Sequence, residues 1–152
     1  MKSRDMLDRQ FRAVAAECAA AGLRRASRTL NQLYAGNLAP SGLEPTQFTL
    51  LVACAVAGAA RMTALAEALA MDRTTLTRNL KPLERRGLVR VAEGDDRRVR
   101  EVSLTPRGRA ALAAAIPLWK SAQDNVSAAF GRDRLSRVLK DVGTLASLAR
   151  AR

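Results

Sequence analysis

The chain contains no histidine and only two cysteines. Without imidazole, most zinc sites and the usual general base of an enzyme are excluded. Cys18 and Cys54 stand far apart and form no metal-binding spacing. Aromatic residues make up only 3% of a chain that is 48% apolar and dominated by alanine. That balance is too apolar for a disordered chain and favours close-packed helices over an aromatic-rich β-sandwich. Long apolar runs are missing as well. The longest candidate, Leu50 to Ala60, has the length of a buried helix and not of a bilayer span. Lys2 and Arg4 open the chain, but Asp5, Asp8, Arg12 and Glu17 interrupt any signal-peptide core. A cytoplasmic protein with no membrane contact and no cofactor is expected.

What the sequence does have is positive charge. Against 14 acidic residues it sets 26 basic ones, a net charge of +12. Such a surface attracts polyanions: nucleic acid, anionic membrane or acidic partners. At 152 residues the chain fits one domain, with room for helical extensions around a buried core.

Residues 7–34 carry a helical apolar stripe through Phe11, Ala15, Cys18, Gly22, Ala26, Leu30 and Leu33, with Arg24 and Arg28 off it. The segment from Gly36 to Gly42 reads as a loop by composition. A helix with Pro45 in its first turn then runs through Phe48, Leu51, Val52 and Cys54 until Gly58 ends it. Thr63 to Ala70 forms a short helix, Met71-Asp72 a turn, and Asp72 caps the helix that follows. Two helices joined so tightly must cross steeply, as in a helix-turn-helix. After Gly87 the pattern changes to two strands, 88–91 and 100–104, separated by the charged stretch Glu93 to Arg98. That loop is longer than a hairpin needs and predicts a projecting wing. Thr105-Pro106 opens another helix, which passes Trp119 and reaches about Phe130. Beyond Gly131 a final helix aligns Leu135, Val138, Leu139, Val142, Leu145 and Leu148.

The helix after Asp72 is the most informative. With Leu76 at zero and about 100° per residue, Leu80 and Leu83 fall within about 40° of it and mark a buried face. Thr74, Arg78 and Lys81 fall opposite, flanked by Thr75 and Thr77, with no carboxylate among the five. Short hydroxyls can bond phosphates or base edges, and arginine can make two bonds to guanine. Residues 73–109 hold eleven basic and five acidic side chains, so this quarter of the chain carries half of the net charge. A solvated amphipathic helix is the competing reading. The tight turn, the acid-free face and the basic hairpin together favour DNA. Pro82 removes a hydrogen bond to the Arg78 carbonyl, a loss of ~3 kcal/mol in a regular helix, and a bend is expected there.

The run from Leu65 to Arg78, then Leu83-Glu84-Arg85-Arg86-Gly87-Leu88-Val89, Asp96-Arg97-Arg98 and Leu104-Thr105-Pro106-Arg107-Gly108, resembles the MarR family of bacterial transcriptional regulators. The likeness covers nearly the whole chain. It implies a mainly α fold with a small β-hairpin wing, in which residues 45–108 form a winged helix-turn-helix. Helices in 7–34 and 109–150 would mediate dimerisation, within a single domain spanning 1–152. A homodimer would then place two heads on a pseudo-palindromic double-stranded operator, most simply as a repressor. By the same resemblance, Arg98 would enter the minor groove, where a narrow groove concentrates negative potential, and Asp96 would orient it. Arg97 and Arg100 would hold phosphates. A surface ion pair between Asp96 and Arg98 is the plainer alternative.

The resemblance also implies an input signal, either a small aromatic or phenolic effector or cysteine oxidation. Arg24, Arg28, Tyr34, Phe48 and Trp119 are the effector candidates by position. An arginine could bind a carboxylate and a ring could stack, but nothing in the spacing singles out a pocket. Core packing for the aromatics and solvent or interface contacts for the arginines are therefore the favoured reading. Cys18 invites comparison with the hydroperoxide sensors of that family, which carry a reactive cysteine in the first helix supported by tyrosines. Here Cys18 lies on the apolar stripe, Arg24 and Arg25 replace any supporting tyrosine, and Tyr34 is distant. Burial would keep such a thiol inert. Two other functions compete with a sequence-specific regulator. One is a nonspecific nucleoid protein using the same basic face. The other is an enzyme, which no nucleophile-base pair, metal cluster or phosphate loop supports.

Overall fold

Apolar stripes at helical spacing form the helices, and the basic hairpin supplies two of the three strands of the sheet. The computed structural model describes residues 2–94 and 99–150. Within them the order is α1 (Lys2–Glu17), α2 (Ala19–Leu38), α3 (Pro45–Ala57), β1 (Ala60–Arg61) and α4 (Met62–Ala68). Then come α5 (Arg73–Arg85), β2 (Val89–Glu93), β3 (Arg100–Leu104), α6 (Pro106–Phe130) and α7 (Arg132–Arg150). The fold is mainly α with a small antiparallel sheet of order β1-β3-β2. Among the described residues, no helix is long and apolar enough to cross a membrane.

The apolar stripe expected over 7–34 is not one helix. It divides at Cys18, whose ψ of 100° sends the backbone out of helical geometry between α1 and α2. Nothing in the local alanine-rich sequence, free of glycine and proline, accounts for this break. The loop expected from Gly36 is also shorter than its composition suggests. Helix α2 continues to Leu38, because burying that side chain completely outweighs the weak helix preference of Gly36 and Asn37. The amide of Asn37 donates to the Leu33 carbonyl and so supports the helix it would otherwise end. The chain turns only at the 3-10 segment Ala39–Ser41, which closes on Gly42 in the left-handed region (φ +66°).

The head is built on leucine. Leu76, Leu80 and Leu83 of α5 pack against Leu50, Leu51 and Cys54 of α3 and against Val102 of β3 in one buried cluster. Each leucine so buried contributes roughly 1.5–3 kcal/mol. Pro82 lies inside α5, which continues to Arg85, and Leu83 beyond it is buried with Leu76 and Leu80. Strand β1, which sequence patterning missed, pairs Ala60 with Val102 and Arg61 with Glu101. Two residues are too few to show alternation. In the hairpin, Val91 lies opposite Val102 and Glu93 opposite Arg100.

Thr105 and Gly108 lock the head to α6. The Thr105 hydroxyl accepts from the Gly108 amide and donates to the Gly87 carbonyl at 2.7 Å. It thereby caps α6 and holds the end of the reading helix at once. Gly108 presses directly against the Leu88 backbone, leaving no room for a side chain.

Candidate nucleic-acid interface

The turn between α4 and α5 is tight. Ala70 adopts a left-handed conformation (φ +51°), and the Met71 amide bonds the Ala66 carbonyl at 2.9 Å. Asp72 then caps α5, taking the Thr75 amide on Oδ1 at 2.8 Å and the Thr75 hydroxyl on Oδ2 at 2.6 Å. These bonds, the hydroxyl first, hold the Asp72 carboxyl below its usual range. The ionised carboxylate suits the positive end of the helix.

The leucines fix the rotation of α5, and that rotation decides which side chains face solvent. Thr74, Thr77, Arg78 and Lys81 are exposed, and together with Arg73 they line one shallow surface concavity. Thr75 departs from the expected reading face. It is half-buried, and its hydroxyl proton is engaged by Asp72, so its role is to cap the helix. The Thr77 hydroxyl donates to the Arg73 carbonyl, which leaves its lone pairs free to accept. Arg73 is the addition: it sits one and two turns before Thr77 and Lys81, a spacing of i, i+4 and i+8 that the sequence displays.

A second groove separates α5 from the sheet. Arg73, Thr77 and Lys81 meet Arg100 there, with Met62, Leu80 and Val91 as its floor. Glu84 also borders this groove, so the acid-free character belongs to the outer face of α5 and stops at its edge. Arg100, exposed at the base of the wing, therefore faces the reading helix across a cationic cleft. Asp96, Arg97 and Arg98 lie outside the described residues.

The effector candidates separate into two groups. Tyr34, Phe48 and Trp119 come together in a cavity of about 430 Å³ between α2, α3, α6 and α7. Phe48 and Trp119 stack with ring centroids 6.2 Å apart and planes inclined by 16°. The Tyr34 hydroxyl donates to Gln123 Oε1, and burial raises its pKa. Arg24 and Arg28 do not join them. Leu23, Ser27, Leu30 and Tyr34 place the lining face of α2, and both arginines point to solvent on another face.

A model of the MarR family matches residues 41–99. The transcriptional regulator MosR of M. tuberculosis, solved in complex with DNA, is 44% identical and superposes with a TM-score of 0.81. That match covers 89% of this chain and 98% of MosR. The chain belongs to the MarR family. It is a DNA-binding transcriptional regulator.

The repressor CouR, bound to a 23-mer DNA duplex, is 30% identical with a TM-score of 0.79, covering 88% of this chain and 95% of CouR. A MarR mutant from E. coli complexed with operator DNA shares the fold (TM-score 0.77) at 19% identity, over 88% of this chain and 96% of that one. No curated protein sequence gives a significant match. Within this MarR-family chain the two thiols differ. Cys54 is fully buried in the α3 core, and burial pushes its pKa up to about 11. Cys18 is half-buried at the break between α1 and α2.

Proposed function

We propose that the chain is a sequence-specific repressor that binds a pseudo-palindromic double-stranded operator as a homodimer in the cytoplasm, with residues 45–108 as its head. The observation that carries this reading is the cationic, hydroxyl-bearing outer face of α5, held rigidly by its leucines and its Asp72 cap. In this assignment Thr74 and Arg78 read base edges in the major groove, while Arg73, Thr77 and Lys81 take phosphates. Arg100 and Arg97 anchor the wing on the backbone, and Arg98, oriented by Asp96, enters the minor groove. Relatives solved on DNA support the same use of the head.

The test is a salt titration on an operator selected from a random-sequence pool, with random duplex as competitor. Arg78→Ala is expected to cost about 1–3 kcal/mol on the operator and to relax base preference at one position. Lys81→Ala should weaken operator and random DNA alike and lower the salt slope by about one. Equal affinity for operator and random sequence would instead identify a nonspecific nucleoid protein.

The input is proposed to be a small uncharged aromatic or phenolic compound in the cavity beside Trp119. Among the described residues no cation lines that space; Ser27, Asn31, Tyr34 and Thr49 are its polar groups, so a carboxylate would lose its hydration without a partner. Trp119 is the only tryptophan, which makes its fluorescence a direct probe. Neutral phenols should quench it and release the operator, and benzoates at the same concentration should do neither. Tighter binding of the benzoates would reverse the assignment. An oxidant signal would act on Cys18, because Cys54 is sealed in the core.

A further inference from the structure

Arg86 belongs by sequence to the basic cluster that points to DNA, yet its guanidinium is committed elsewhere. One of its terminal nitrogens donates to the Gly42 carbonyl at 2.9 Å and to Gln47 Oε1 at 3.4 Å. Its other terminal nitrogen lies over Gly42, 3.6 Å from where a Cβ would stand. Gly42 is the left-handed residue closing the 3-10 turn, and Gln47 is the third residue of α3, whose Oε1 also accepts from the Glu44 amide. Arg86 itself is the C-terminal cap of α5. Its hydrogen bonds therefore join the end of the reading helix to the start of α3.

Among the described residues, the other side-chain hydrogen bonds made by α5 stay within the helix and its cap, at Thr75, Thr77 and Asn79. The packing of α5 against α3 is apolar, through Leu76, Leu80 and Leu83 against Leu50, Leu51 and Cys54, and it is strong but non-directional. Packing of this kind sets the distance between two helices better than the angle or register at their ends. A charged, planar donor shared by two acceptors supplies the missing directionality. The first two turns of α3 also supply Pro45, Phe48 and Thr49 to the wall of the aromatic cavity. The strut thus runs from that wall to the reading helix.

We infer that Arg86 is a positioning residue, which holds α5 at its DNA-reading angle through Gly42 and Gln47 and makes no DNA contact of its own. The inference rests on the proposed operator binding by α5, and the experiment separates the two. Affinity for the selected operator is measured against salt for the full chain and for Arg86→Ala, Gln47→Ala, the double variant and Arg86→Lys, each with its Tm.

The parent chain must discriminate operator from random duplex; if it does not, the operator reading itself fails. Given that discrimination, Arg86→Ala is expected to lose roughly tenfold in operator affinity, as for a hydrogen bond to a charged group. Its salt slope should equal that of the parent, because no phosphate contact is removed. Gln47→Ala should lower affinity in the same direction, and the double variant should be no worse than Arg86→Ala alone, since both break one linkage. Arg86→Lys keeps the charge without the fork and should recover only part of the loss. A slope reduced by about one in Arg86→Ala would mean that Arg86 touches DNA, and losses that add in the double variant would mean that Arg86 and Gln47 do not act through one linkage; either result overturns the inference. Unchanged affinity in Arg86→Ala would remove the positioning role. A variant whose Tm shows it unfolded at the assay temperature is replaced in the comparison by Arg86→Gln, which also removes the charge, so that the same slope and cycle criteria apply.

Discussion

Replacing Gly108 by alanine is expected to destabilise the protein by about 3 kcal/mol, at the upper end of what overpacking normally costs. An added Cβ would stand 1.9 Å from the Leu88 carbonyl oxygen, 2.8 Å from its carbon and 2.9 Å from Leu104 Cδ1. Two of those atoms are backbone and cannot rotate away. The Leu88 carbonyl also accepts from the Thr105 amide and lies within 3.1 Å of its hydroxyl, so moving it disturbs the cap of α6. Relief requires α6 to lift from the start of β2, which breaks the lock between Thr105 and Gly87. Since a domain of this size has a total stability of roughly 5–15 kcal/mol, the loss should show as a clearly lower urea midpoint. Gly36→Ala is the matched control. A Cβ at Gly36 meets nothing within 4 Å, and the residue is helical, so that variant should gain up to about 1 kcal/mol. If Gly108→Ala unfolds at the same urea concentration as the parent, the contact between α6 and β2 is not a rigid one.

Gly108 also shows what kind of information a sequence carries. Its place three residues after Thr105 is visible in the chain, and the resemblance to the MarR family marks it, but the reason for glycine appears only when Leu88 is brought against it. Local determinants were legible throughout. The Leu76, Leu80 and Leu83 stripe, the Asp72 cap and the Thr105-Pro106 opening each depend on residues within about one or two helical turns, and the structure has all three. Features set by distant partners were not. Leu38 prolongs α2 because it is buried by the rest of the core, β1 exists because β3 lies beside it, and Arg86 is withdrawn from the basic face by Gly42 and Gln47. The same distinction explains the effector candidates. Position along the chain placed Arg24 and Arg28 near Tyr34, but the rotation of α2 is fixed by what it packs against, and it turns both arginines away from the cavity.

A charge placed on the terminal helices should weaken operator binding severely without touching the head. Helices α1 and α7 present apolar side chains that nothing among the described residues covers; Phe11 and Leu148 are each 63% exposed. Met6, Leu7 and Val14 accompany Phe11, and Leu145 accompanies Leu148. Large apolar side chains exposed in such number on two helices are unfavourable in water, and a second copy packing against them would remove that exposure. Phe11→Glu and Leu148→Glu, singly and together, would bury an unpaired carboxylate in that contact and are expected to sediment as monomers. The head core, built on Leu50, Leu76, Leu80 and Leu83, contains neither residue, so its helix content should persist in the monomer. Each head would then hold a single half-site, and the avidity of paired heads would vanish. Operator affinity should fall by about 10² to 10⁴, while the per-head salt slope stays that of one head. Variants that sediment as dimers would locate the interface elsewhere. Monomers that bind the operator as tightly as the parent would show that one head suffices, and the pseudo-palindrome would lose its physical reason.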